Sequence, residues 1–185
     1  MTTGTTQDES RIAPLRLIAV LAIAVAAAFL IWFVLIRDAD SGSSGPNSTA
    51  VTVSELQNLS VEVDHPVYWA GPRPATTYEL TRTTRGDVFI RYLPQGVPVG
   101  DRRPNYLTVG TYPFRRAYAT LRQSGDREGA TIGRLPRQGI YVIGPERANS
   151  VYVAFRGQDV QIEVFAPSAR RARELVSSGR IRPLG

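Results

Sequence analysis

The sequence predicts an α+β domain, with antiparallel strands and helices packed on one sheet face, carried on a single transmembrane helix. Three observations lead there. Residues 17–36, LIAVLAIAVAAAFLIWFVLI, run for twenty positions without a charged side chain. A Ser/Gly-rich stretch follows them. From residue 51 onward, short β-branched and aromatic runs bounded by Gly, Pro or Asp alternate with apolar residues at helical spacing.

At about 1.5 Å per residue, a helix over 17–36 covers about 30 Å, the thickness of bilayer hydrocarbon. Trp32 and Phe33 sit near its end, where aromatic rings favour the interface. Ala24-Val25-Ala26 resembles a signal-peptide cleavage site, but the apolar run continues to Ile36, well past the length of a cleavable core. The segment therefore reads as an uncleaved signal anchor. Arg11 and Arg16 precede it, while Arg37 is followed at once by Asp38 and Asp40. The positive-inside rule then places the 1–16 tail in the cytoplasm and the C-terminal domain outside the cell membrane.

Residues 37–50 form the linker. As a flexible coil, such a tether spans roughly 20 Å root-mean-square. The domain occupies 51–185, enough chain for one sizeable core. A short helix is expected at 53–59, with Ser54 as N-cap. Strands are expected at 67–70, 77–81, 88–93 and 106–112. Phe114, Ala117, Tyr118 and Leu121 then fall on one helix face, which ends at Ser124-Gly125. Strands at 130–135, 140–144, 151–155 and 160–166 follow. A last helix carries Ala169, Ala172, Leu175 and Val176 on one face, with Gly179 to stop it. Pro113 and Pro167 are each placed to open a helix. The Pro–Leu–Gly spacing of residues 113, 121 and 125 recurs at 167, 175 and 179. Four strands and a helix, twice, make residues 66–125 and 130–179 a candidate internal duplication.

Composition removes whole classes of chemistry. There is no cysteine, so thiolate nucleophiles, iron–sulfur clusters and cysteine–zinc sites are out. All 22 basic residues are arginine, which excludes Schiff-base and P-loop lysines. One histidine cannot make a His-rich metal site, and no D-x-[DN]-x-[DN]-G calcium loop occurs. No cofactor or metal is expected.

That histidine lies in DHPVYWAGP, residues 64–72. Neighbours in a strand point to opposite faces, so Asp64 cannot orient His65 as a triad carboxylate would, and Pro66 holds His65 extended. Tyr68 and Trp69 also diverge, and Tyr68 is the better candidate for a surface contact. The long connection at 94–105 carries Arg102 and Arg103, Tyr106 follows, and Arg115 and Arg116 begin the next helix. Together these four arginines are candidates for an anion site. Residues 50–185 hold 19 arginines against 12 carboxylates, a net charge near +7. Such a domain beside a membrane attracts anionic lipid headgroups, envelope polymers or an acidic protein partner. No nucleic-acid recognition motif is present.

The sequence therefore points to a non-enzymatic, single-pass envelope protein, on a plan generic in bacteria. The alternative is an extracytoplasmic hydrolase or transferase that uses Asp64, Asp87 or Asp101, perhaps with His65. The topology has a direct test. Protease added to intact spheroplasts is expected to remove the C-terminal domain, and full protection would reverse the orientation.

Overall fold

A computed structural model describes residues 48–185. The predicted span at 17–36 and most of the linker lie outside them. Among the described residues, no helix is long and apolar enough to cross a membrane.

The β-branched and aromatic runs pair into one antiparallel sheet. Its strands are β1 (Ser48–Val51), β3 (Thr76–Arg82), β4 (Val88–Pro94), β5 (Leu107–Pro113), β6 (Thr131–Leu135), β7 (Gly139–Ile143), β8 (Ser150–Phe155) and β9 (Val160–Phe165). The spatial order β1-β3-β4-β5-β9-β8-β7-β6 is mirrored about the β5–β9 pair. Seven of the eight strands lie where the sequence predicts strands. The eighth, β1, begins at Ser48, inside the stretch read as linker. Its short polar side chains suit an exposed edge, where the Ser48 hydroxyl meets that of Thr81 at 2.8 Å.

The helices are α1 (Val53–Glu62), α2 (Ala117–Gly125) and α3 (Ala169–Ser177). The cap of α1 is Thr52 rather than Ser54. Glu55 N–H donates to the Thr52 hydroxyl, while the Glu55 carboxylate accepts from the Thr52 N–H at 2.6 Å, a reciprocal capping box. Pro113 does not open α2. It closes β5 opposite Val160, and the helix starts only after Arg116, which takes a left-handed conformation with φ 61°. Pro167 lies just before the Ser168 cap of α3.

One face of the sheet carries Tyr78, Val88, Ile90, Tyr92, Val109, Val151, Val153, Ile162 and Val164 into the main core, where α1 and α3 cover it with Leu56, Leu59, Ala172, Leu175 and Val176. The prediction of helices on one face fails for α2. That helix packs on β7 and β8, and a Cβ at its Gly125 would meet Ile132 and Val142. Val142 alternates with Tyr141 and Ile143, which belong to the main core, so α2 covers the opposite face. The mirrored arrangement therefore holds for the strands and not for the helices that follow them.

The segment 67–73 also departs from the expected sheet strand. Tyr68–Trp69 (β2) lies across the core face and pairs only with Arg182–Pro183 (β10), in a separate two-stranded sheet. Leu184 N–H closes that ribbon on the Val67 carbonyl at 2.8 Å. A strand lying flat on a sheet cannot reach the backbone acceptors beneath it. Its N–H groups are met instead by hydroxyls rising from the sheet. Tyr68 donates to Thr111 Oγ1 (3.0 Å), Ala70 to Tyr92 Oη (2.7 Å) and Arg73 to Tyr78 Oη (2.7 Å). The three supports stand on β5, β4 and β3 in turn.

On the other face, two carboxylates borne by strands are buried. Glu79 of β3 sits opposite Arg91 of β4, and their side chains, 1% and 5% exposed, meet at 2.6 Å. The second nitrogen of Arg91 donates to the carbonyls of Asp101 (2.7 Å) and Arg103 (3.2 Å), and Gly100 N–H donates to Glu79 (2.6 Å). The ion pair thus clamps the 95–106 loop down on the sheet. Glu163 of β9 accepts from Tyr112 Oη (2.8 Å) and Ser150 Oγ (2.7 Å). The Tyr112 ring reaches Glu163 by lying over Gly110, directly opposite it, where a Cβ would come within 2.9 Å of the phenol oxygen.

Removing one partner of the buried pair strands the other charge, which costs about 3–5 kcal/mol, whereas replacing both by apolar residues is often neutral. Arg91→Ala is therefore expected to lower the urea unfolding free energy by that amount. Glu79→Leu with Arg91→Met is expected to restore most of it, while leaving the 95–106 loop more open to proteolysis.

Candidate functional site

The sequence proposed Tyr68, Arg102, Arg103, Tyr106, Arg115 and Arg116 as binding residues. The fold does not bring them together. Arg102 and Arg103 lie just before β5 and Arg115 and Arg116 just after it, and six strand steps separate its ends by about 20 Å. One anion cannot bridge that distance.

Their local contacts divide them further. Arg103 turns back on Asp101, with Nη2 to Oδ2 at 2.6 Å and Nε to Oδ1 at 3.0 Å. Those hydrogen bonds hold the Asp101 carboxyl well below the usual carboxylate range. Tyr106 is buried, its ring under the guanidinium groups of Arg91 (5.3 Å) and Arg103 (5.8 Å). Arg102, Arg115 and Arg116 are exposed, and Arg116 donates its backbone N–H to Asp159 at 2.9 Å. Tyr68 is no surface contact. It is 3% exposed, stacks on Phe155 with ring centroids 5.5 Å apart, and donates its hydroxyl to Gln158 at 2.7 Å. Trp69 points the other way, edge-on to Tyr78, and is equally buried. The two rings diverge as adjacent strand residues should. Both end in the core because β2 is enclosed between the sheet and the helices.

Of the acid–base candidates, Asp101 stands apart, while His65 lies beside the turn that carries Asp87. His65 donates from Nε2 to the Gly86 carbonyl at 3.0 Å, which ties the 64–67 segment to the β3–β4 turn. Asp87 accepts from Thr83 (3.0 Å) and Arg85 (3.4 Å) at the start of β4. Asp101 lies beyond the far end of that strand, again about 20 Å away, whereas paired glycosidase carboxylates stand about 5–9 Å apart.

A different cluster is assembled where the first and last segments of the domain meet. Arg73 follows β2 with its guanidinium carbon 5.1 Å over the Tyr92 ring. Its Nη2 is buried and has no hydrogen-bond partner among the described residues. Burial first, then the charges of Arg171 and Arg180, lower its pKa from the ordinary arginine value. Arg182 of β10 stands opposite Trp69, and its Nη2 would be 3.7 Å from a Cβ at Gly71. Arg171 starts α3, where its N–H bonds the Ser168 cap and its side chain lies 3.5 Å from Glu174. That carboxylate is shared with Arg170 at 2.6 Å. Sequence reasoning missed this group, whose one local signal was a proline after Arg73 and after Arg182.

Comparison with protein-family models, curated proteins and solved structures finds no match to this chain.

Several tyrosines carry the fold's polar burial. Desolvation raises the pKa of Tyr68, Tyr92, Tyr112 and Tyr152, and the Glu163 carboxylate raises Tyr112 and Tyr152 further. In the unfolded chain these phenols ionise near about pH 10. Their contribution is fully present below that pH and lost as pH rises through the folded values. Stability is expected to fall from about pH 10 upward. In an absorbance titration, these four of the eight tyrosines should ionise only as the protein unfolds. Ionisation of all eight in the folded state would contradict the burial.

Proposed function

We propose that this chain is a non-catalytic, single-pass membrane protein whose outer domain binds an anionic component of the cell envelope. Placement at the cell membrane, with the C-terminal domain outside, rests on the apolar 17–36 segment and its flanking arginines.

The observation that carries the binding reading is how the charges are divided between core and surface. Nineteen arginines and twelve carboxylates lie in the domain. Arg91 is buried, and so are Glu79, Asp87 and Glu163. That leaves eighteen arginines facing nine carboxylates outside the core. Several of the nine are already committed. Asp101 holds Arg103, Glu174 holds Arg170, and Asp159 caps the turn into α2. The surface is therefore more basic than the net charge suggests, and long-range attraction for polyanions follows.

Attraction of this kind is screened over about 10 Å at 0.1 M salt. The full chain in neutral-lipid vesicles is expected to co-sediment with an anionic wall polymer at low salt and to release it as salt rises. Binding of a neutral polysaccharide under the same conditions should be absent. Equal retention of both polymers would remove this reading.

A further inference from the structure

We infer that Arg73, Arg171, Arg180 and Arg182 form a discrete site for the phosphate group of a phosphate-bearing ligand, a deepening that rests on the anion-binding reading above. Three features separate this cluster from a merely basic surface.

First, Arg73 is held in place. Its backbone N–H donates to Tyr78 Oη, the same hydroxyl donates to its carbonyl at 3.3 Å, and its guanidinium lies over Tyr92. The Tyr92 hydroxyl accepts the Ala70 N–H, and neither phenol accepts from Arg73 Nη2. Second, Nη2 of Arg73 is buried without an acceptor, and a buried donor left unpaired is costly. Third, the neighbouring charges are of one sign. Arg171 and Arg180 act on Arg73, and Arg182 acts with it on Tyr92. Among the described residues, Glu174 is the carboxylate seen to contact this group, through Arg171, and Arg170 shares it.

Several like charges acting on one another and one stranded N–H call for an acceptor with more than one charge and several oxygens. A phosphate monoester supplies about −1.5 to −2 charge and three acceptor oxygens, and arginine forks match its geometry. A lone carboxylate supplies one charge and is satisfied by a single fork. The phosphate can belong to a monoester lipid headgroup, that of phosphatidic acid, or to a soluble monoester, since both present three acceptor oxygens.

The test uses the full chain in neutral detergent micelles, with melting temperature as readout. Inorganic phosphate is expected to raise the melting temperature in a saturable way, and chloride at equal ionic strength should not. Arg180→Gln with Arg182→Gln is expected to weaken the apparent affinity at least about tenfold, since charge-assisted hydrogen bonds to phosphate are the strong ones. Arg115→Gln with Arg116→Gln, remote from the cluster, should leave it unchanged. Arg73→Gln should abolish the effect; should that variant fail to fold, the Arg180/Arg182 pair still decides. Adding phosphatidic acid to the micelles separates the sources. Competition between lipid and inorganic phosphate assigns the site to headgroups, and saturation by phosphate alone assigns it to soluble esters. No phosphate effect, or an equal loss in both double variants, overturns the site. Polymer binding that survives such a result would leave the broader reading standing, whereas loss of both would end the two together.

Discussion

The architecture depends on one constraint, the hydrogen-bonding needs of a strand laid on top of a sheet. Residues 67–73 cross the core face at an angle that denies them backbone partners below. Thr111, Tyr92 and Tyr78 supply hydroxyls at three successive strands, and β10 supplies the lateral partner. Without those groups the crossing would bury unpaired N–H donors, each worth a kilocalorie or more in lost stability (about 1–3 kcal/mol). With them, Tyr68 and Trp69 become core residues, and the chain's last residues are drawn beside its first crossing.

That crossing also explains where the arginine cluster comes from. Arg73 lies at the end of the crossing segment, and Arg180 and Arg182 flank or form the ribbon that completes it. Residues more than a hundred positions apart in sequence are neighbours because a two-residue strand needed a partner. On the opposite face, polar burial has a different result. The Glu79–Arg91 pair fixes the long loop, and Gly110 leaves room for Tyr112 to reach Glu163. These interactions draw carboxylates inward, and the outer surface keeps an excess of arginine. Face-by-face, the same sheet thus builds a core, pins a loop and sets the charge of the exterior.

Much of this was legible in the chain itself. The α+β class, seven sheet strands and the three helices follow from local signals: β-branched alternation, apolar residues at helical spacing, and Gly or Pro stops. Strands such as 88–94 carry enough of that pattern to be placed to within a residue. β1 escaped because Ser48, Thr49 and Ala50 lack the apolar alternation of a buried strand and pair at an edge. β10 escaped because two residues, one of them proline, carry no periodicity at all.

The candidate site fared worse, for a reason of distance rather than of chemistry. The sequence determined that arginine is the only cation available for binding, that sulfur and lysine chemistry are absent, and that the domain carries an excess of positive charge. It grouped Arg102, Arg103, Arg115 and Arg116 because they are close along the chain, and an extended strand then set them at opposite ends of the sheet. Only the tertiary structure decided which arginines meet, since side chains converge where backbone segments pair. Here that pairing joins residue 69 to residue 182.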